Sequence, residues 1–450
     1  MLISVALPAS SQALDEPAPE MTVTTTVGPI GAPMPTLGDL KQHTTAPPAT
    51  SEELTQPRAA LETLGPAGRW APKSKTPSST APPPKSSGLA RQAAAAPYPD
   101  PPRTMSKEEC LEGLRTHDAF YIKSRFAVCS GATLTSVWSI NNRETGTSQV
   151  AFLAVGTIAK GSRTVNIRHH YRFEAVGTTG APKMILTPKL TLPQTWPASA
   201  RISQGGDLPT GKSWQTLAAQ ADPGFSHNLT GKSGTGSGRD DALFTIFQPD
   251  LKVKYPSGWD VKGATGAKPF FLAPRWDKAS YLAGATADGG ASFSYAVAMP
   301  FSTKVGAKER LAAQHIKDAY TTPKKTEPVN TKKDIPGLTA SRPLTRLFHD
   351  KARRKANRDE AIKACKAKWG AGYAEGGKKE CDEFPFSATY EGGAQALKKY
   401  DPQGKAPKKN FSARPIPKAD NGAGGSIVSG FYSKNRIIDG SDDGFMIKVS

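Results

Sequence analysis

Acidic side chains are scarce in this 450-residue chain: 39 Asp and Glu stand against 59 Lys and Arg, a formal net charge of +20. The excess points to a polyanion as partner, whether nucleic acid, an anionic wall polymer or a membrane surface. A solvated basic surface explains the same count. Cysteines number four and none stands in a C-x-x-C pair, which argues against a zinc ribbon. No run of 18 apolar residues occurs, so no transmembrane helix is expected. Hydrophobic residues make up only 37% and the mean hydropathy is −0.46, too little apolar material for the whole length to share in a core. A basic stretch is also missing ahead of the apolar LISVAL near the N-terminus. MLISVALPASSQALDEPAPE, with its Ser-Gln-Ala, therefore reads as a clipped or weak export signal.

What is present falls into three parts. Residues 1–104 hold that signal-like segment and a stretch rich in Pro, Ala, Ser and Thr (TTAPPATSEEL, SKTPSSTAPPPKSSG, AAAAPYPDPP). This composition does not offset the entropy of ordering, so a disordered region is expected, with one short helix at SEELTQPRAALETL weakened by Pro57. Residues 105–302 open with a helix capped by Ser106 and Glu109. They continue through alternating β-branched and aromatic runs such as TSQVAFLAVGTIA, RTVNIRHHYRFEAV and DALFTIFQPDLKVKYP, which predict an antiparallel β domain, a sandwich or open barrel. His169 and His170 lie on one such run and point to opposite faces, so they read as ordinary strand residues.

Residues 303–450 predict an α+β domain. VGAKERLAAQHIKDAY is a helix with Leu311, Ile316 and Ala319 on one face. DKARRKANRDEAIKACKAKWG is a second, very basic helix. FSARPIP and GFMIKV are strands, and GAGGSIVSGFYSKN is a last helix. Charge gathers here, with 30 Lys and Arg against 17 Asp and Glu after residue 300. Cys110 with Cys129, and Cys365 with Cys381, form two local pairs that read as disulfides of an exported protein.

The hard oxygen groups of the last part are Asp382, Glu383, Glu391, Asp420 and Asn421, types that suit Mg²⁺, Mn²⁺ or Ca²⁺. Phosphodiester cleavage needs a base for water, a cation for the developing charge and basic groups for the backbone. Lys351, Arg353, Arg354, Lys355 and Arg358, with Lys408 and Lys409, supply the last. The plainer readings are a turn at Asp382-Glu383, a turn at Asp420-Asn421-Gly422 and solvated charge on the helix. His315 and His349 read as packing or surface residues.

Several segments in order resemble the NucA/NucB deoxyribonuclease family: AAQHIKDA, PGLTASRPLTRL, CDEFPFSATYEGG, FSARPIPKADNGAGGSIVSGFY and NRIIDGSDDGFMIKV, across about 303–450. The resemblance implies a minimal ββα-metal fold cutting DNA without strong sequence preference, with one divalent cation at a strand-turn-helix. It implies Asp382 as the base in place of a histidine, Glu383 beside it, Asn421 and Asp420 at the metal site, and Glu391 as a further metal or orienting group. Where better-known members carry polar residues in the last helix, this chain has Gly430 and Phe431, which leaves Asn435 or Glu383 to compensate. The expected protein is a secreted, metal-dependent endodeoxyribonuclease whose partner is DNA, through its phosphates. An inhibitor or immunity protein is a candidate second partner. The rival is a non-catalytic extracellular DNA- or cell-wall-binding protein.

Overall fold

The computed structural model describes residues 18–31, 34, 98–114, 120–282, 286–440 and 443–450. The signal-like segment and the SEELTQPRAALETL helix lie outside them. Strands dominate. β1 (Met21–Gly28), β2 (Phe120–Ser124), β3 (Ala127–Ile140), β4 (Arg143–Ile158), β5 (Thr164–Gly177), β7 (Ile202–Gly206), β9 (Gly224–Gly231) and β11 (Asp260–Gly263) form an eight-stranded sheet. β6 (Ile185–Trp196), β8 (Lys212–Ser213), β10 (Leu243–Lys254), β12 (Gly266–Ala267), β13 (Pro274–Asp277) and β14 (Gly290–Phe293) form a six-stranded one. Both sheets contribute to one apolar cluster that includes Val23, Trp138, Phe152, Leu186, Phe247 and Trp276. Within these two sheets pairing is antiparallel except between β1 and β11.

β1 corrects the reading of everything before 104 as unordered. MTVTTTVG alternates β-branched residues and buries Val23 and Val27, enough to add a strand beside β3. The stretch just before residue 104 also packs: Arg103 lies over the Phe126 ring and donates to the Ile158 carbonyl. Helix α1 (Lys107–Leu114) carries the expected capping box. Ser106 N–H donates to Glu109 Oε2 at 2.9 Å, and Glu109 N–H to Ser106 Oγ at 3.1 Å. A short α2 spans Trp214–Ala218. His169 is fully buried between the Phe152 and Phe225 rings, and burial holds its pKa down to about 3. His170, on the other face, bonds Asp222.

The C-terminal part has its own core, which includes Phe301, Ile316, Phe384, Val428, Phe431 and Phe445. Its elements are β15 (Val297–Phe301), α3 (Arg310–Thr321), β16 (Leu344–Thr345), α4 (Lys351–Trp369), β17 (Lys379–Phe384), β18 (Ser412–Pro417), α5 (Lys418–Lys434) and β19 (Gly444–Val449). β19 pairs with β15 in parallel and β16 antiparallel, while β17 and β18 form a separate antiparallel pair. On α3 the buried residues are Ala312, Ala313, His315, Ile316 and Ala319, so the apolar stripe is rotated away from Leu311. α5 begins at Lys418, ahead of the glycines, with Pro417 at its N-cap and Asp420 favourably placed in its first turn. Among the described residues no helix is long and apolar enough to cross a membrane.

Charge joins the two parts. Asp443 accepts from Arg125 at 2.8 Å and pairs with Arg275, while Asp277 binds Arg275 at 3.1 Å and Arg436 at 2.6 Å. All five side chains are buried. Burial alone would raise the Asp443 carboxyl, but Arg125 and Arg275 hold it below the usual carboxylate range. Nearby, Asp240 binds His349 at 3.0 Å, and Tyr281 stacks on Phe348.

Candidate active site

The β17–β18 pair is the frame. Alternation along a strand sends Glu380, Asp382 and Phe384 to one face, and Lys379, Cys381 and Glu383 to the other. α4 covers the second face. Its Cys365 is disulfide-bonded to Cys381, and its Arg358 donates to the Cys381 carbonyl at 2.6 Å and pairs with Glu383. The other disulfide joins Cys110 and Cys129. α3 and α5 meet the first face. His315 on α3 bonds Asp382 Oδ2 at 2.7 Å, and Asn421 on α5 donates to Glu380 Oε2 at 2.7 Å. α5 follows β18 directly, so the local order is strand, strand, helix.

Asp382 is half-buried, its side chain 13% exposed. Opposite it in the register stands Arg414, which pairs with Asp318 at 2.8 Å and remains partly exposed. Directly opposed residues of an antiparallel pair share a face. The face met by α3 and α5 thus presents a carboxylate and a guanidinium side by side.

The structure does not gather all the sequence-predicted residues there. Glu383 points to the back and is held by Arg358; burial pushes its carboxyl up despite that arginine. Glu391 accepts from the Thr345 amide at 3.0 Å and hydroxyl at 2.6 Å, tying its loop to β16. Burial raises its carboxyl too, offset in part by Thr345. Asp420 caps α3 through the Leu311 amide at 2.9 Å. Asn435 is buried and donates to the Phe431 carbonyl. Asn421 alone of the expected metal residues reaches the Asp382 face, where its partner is Glu380. Among the described residues no group of three or more His, Cys, Asp or Glu is gathered as a metal cluster. Glu380 offers a carboxylate and Asn421 an amide oxygen, hard donors of the kind Mg²⁺ takes beside waters and phosphate oxygens, and the two side chains are hydrogen-bonded to each other.

Two glycines show what close packing demands here. A Cβ on Gly430 would stand 2.3 Å from the Cβ of Tyr98, which also meets Phe431 edge-on. The space of a polar side chain at that point of α5 is filled by Tyr98. In the TYEGG loop, a Cβ on Gly392 would collide with Asn357 of α4 at 2.5 Å. Asn357 needs that approach: its amide donates to the Ser387 and Thr389 carbonyls and accepts from Ala394 N–H, each at 2.9 Å.

The basic run divides as well. Arg353 stacks near Tyr390 and Tyr400 and donates to the Tyr390 carbonyl, and Arg358 faces Glu383. Lys351, Lys355, Lys408 and Lys409 are exposed, Lys355 paired with Asp359, and Arg354 is half-buried. α4 lies behind the hairpin; on the Asp382 side Arg414 pairs with Asp318, and Lys418 approaches Glu380.

His315, Glu380, Ser412 and Arg414 were not singled out as site residues by the sequence. The available signal for His315 was a polar ring on the apolar stripe formed by Ala312, Ile316 and Ala319.

Residues 334–448 match the family Deoxyribonuclease NucA/NucB. The resemblance read across 303–450 is met over that segment, and it points to a deoxyribonuclease. The match includes the hairpin, α4 and α5 but begins after α3. No curated protein and no solved structure matches the chain.

Proposed function

We propose that the protein is a secreted, metal-dependent endodeoxyribonuclease that hydrolyses DNA phosphodiesters without strong sequence preference. The observation that carries this reading is Asp382, half-buried beside the partly exposed Arg414 in a strand-strand-helix unit within the family-matched segment. Asp382 takes a proton from the attacking water, general-base work worth roughly 10²–10⁴ in rate. Arg414, opposite it, holds a phosphate oxygen of the scissile nucleotide. Asn421 and Glu380 would hold a divalent cation. When bound, the cation supplies neutralisation of charge on the phosphoryl oxygens and the leaving 3′ oxygen. Lys351, Arg354, Lys355, Lys408 and Lys409 grip the backbone away from the chemistry. Five such contacts give a slope of about −4 to −5 for log K against log[salt]. The two disulfides and the signal-like N-terminus support export. The division into 1–104, 105–302 and 303–450 is retained as a proposal, with β15 lending its strand to the last sheet.

The test is nicking of supercoiled plasmid by the oxidised full chain with Mg²⁺ or Mn²⁺, and with EDTA, wild type beside Asp382→Ala. Metal-dependent nicking that Asp382→Ala lowers by roughly 10²–10⁴-fold, with DNA binding retained, is expected. Binding with no nicking under either metal would make the protein a DNA-binding module and overturn the proposal.

A further inference from the structure

Behind Asp382 runs a hydrogen-bonded line. His315 Nδ1 lies 2.7 Å from Asp382 Oδ2, and His315 Nε2 lies 2.7 Å from Ser412 Oγ. The ring touches three elements at once: it stands on α3, meets Asp382 on β17 and meets Ser412 on β18. His315 and Ser412 are each 1% exposed, so neither reaches a DNA strand.

We propose that His315 is a positioning residue for phosphodiester hydrolysis, holding one oxygen of Asp382 so that the other faces the attacking water. The proposal rests on the reading of Asp382 as the base. A carboxylate only accepts, so Nδ1 carries the hydrogen and donates to Oδ2. At its other end the ring meets the Ser412 hydroxyl through Nε2, which holds the imidazole in place between α3 and β18. The carboxylate torsion of an aspartate is broad and roughly two-fold, so an unheld Asp382 would sample many orientations. A donor fixed in the α3–hairpin interface removes that freedom. In a Ser-His-Asp triad the aspartate orients the histidine; here the order is inverted and the histidine orients the aspartate. Ser412, buried at the inner end, is an anchor and not a nucleophile.

The same strand is pinned from behind, where Arg358 bonds the Cys381 carbonyl and Cys365 bridges Cys381. Backbone and side chain of the base are therefore fixed by different helices. α3 lies outside residues 334–448, so the positioning group comes from chain preceding the family-matched segment.

The experiment uses the oxidised full chain with Mg²⁺ and supercoiled plasmid, comparing His315→Phe, His315→Asn and Ser412→Ala, with thermal melting to establish folding. A misplacement of about 1 Å at a reacting group costs on the order of 10²-fold, so His315→Phe is expected to lower kcat by about that much with KM little changed. His315→Asn, whose amide N–H replaces Nδ1–H, recovers much of the loss, and Ser412→Ala loses less than His315→Phe. Added to Asp382→Ala, His315→Phe gives no further loss. A folded His315→Phe with wild-type kcat overturns the proposal, as does a loss of equal size in the Asp382→Ala background. Should His315→Phe fail to fold, the ring ¹⁵N resonances of His315 in the wild-type chain decide. Nδ1 must be the protonated nitrogen and must shift on Asp382→Asn; unmoved resonances overturn the inference. If cleavage needs Asp382 but not His315, this proposal fails alone. If the wild-type chain does not cleave, the nuclease reading fails and the positioning role with it.

Discussion

Asp382 and Glu383 are consecutive carboxylates on one strand, and the two faces of the β17–β18 pair treat them oppositely. On the back, Glu383 is enclosed by α4 and neutralised by Arg358, beside a disulfide. On the front, Asp382, hardly more exposed than Glu383, is bonded to a buried histidine and stands opposite a partly exposed arginine. The back face pairs its carboxylate with a cation, and the front face sets its carboxylate against a histidine. A single-residue change of register would exchange these roles, because strand side chains alternate. Adjacency in the motif is therefore not evidence of a shared function.

The comparison is broken most directly by exchanging charge for amide on each face. Asp382→Asn is expected to lower cleavage by roughly 10²–10⁴, whereas Glu383→Gln leaves cleavage per folded molecule within about two-fold. Equal losses in a plasmid assay would erase the distinction. The next effect is on stability. Replacing Cys365 and Cys381 by serine removes a cross-link across 16 positions and is expected to cost about 3 kcal/mol in urea unfolding. Arg358→Met leaves Glu383 buried without its partner. The partial exposure of Arg358 reduces the loss to about 2–3 kcal/mol, read as a lower urea midpoint. Neither change should alter the metal requirement.

The buried charges between the two parts of the chain add a pH dependence. The Asp443 carboxyl is held below its ordinary value in the folded state, so it contributes stability above the usual carboxylate range. That contribution is lost as pH falls through the depressed value. Urea midpoints between pH 7 and pH 3 should drop on the acid side, and Asp443→Asn should flatten that limb. A variant whose acid limb matches wild type would place the sensitivity elsewhere. The smallest expected effect separates the distant cations from the near one. Lys355→Ala reduces the magnitude of the salt slope of DNA binding by about 0.9 or less with kcat unchanged, while Arg414→Ala lowers kcat/KM.

Much of the local architecture was legible in sequence. Ser106 and Glu109 form their capping box, the basic run forms a helix, and the cysteines pair with their near neighbours. Each rests on short-range pattern or on geometry within a few turns of chain. The misses have a common physical origin. β1 stands in a Pro-rich context, and its register is supplied by β3 more than 100 positions away. Leu311 fits a helical stripe, but which stripe is buried depends on where α3 meets the hairpin. Asp420 and Glu391 carry metal-ligating chemistry, yet backbone amides of distant elements occupy them.

By itself, the sequence determined the β-rich character of residues 105–302, the helices α1, α3, α4 and α5, the disulfide partners, the excess of cationic charge and the resemblance of the last third to a deoxyribonuclease, while β1 and β17 were not read as strands. Those depend on residue type, spacing and composition. Only the tertiary structure decided that Arg358 meets Glu383 and His315 meets Asp382, that Tyr98 fills the space at Gly430, and that α4 carries its cations behind the hairpin. The reason is that a polar group's role is set by what meets it. Here the partners of Asp382, Glu383 and Gly430 come from α3, α4 and the stretch before α1, separated along the chain and joined only by packing.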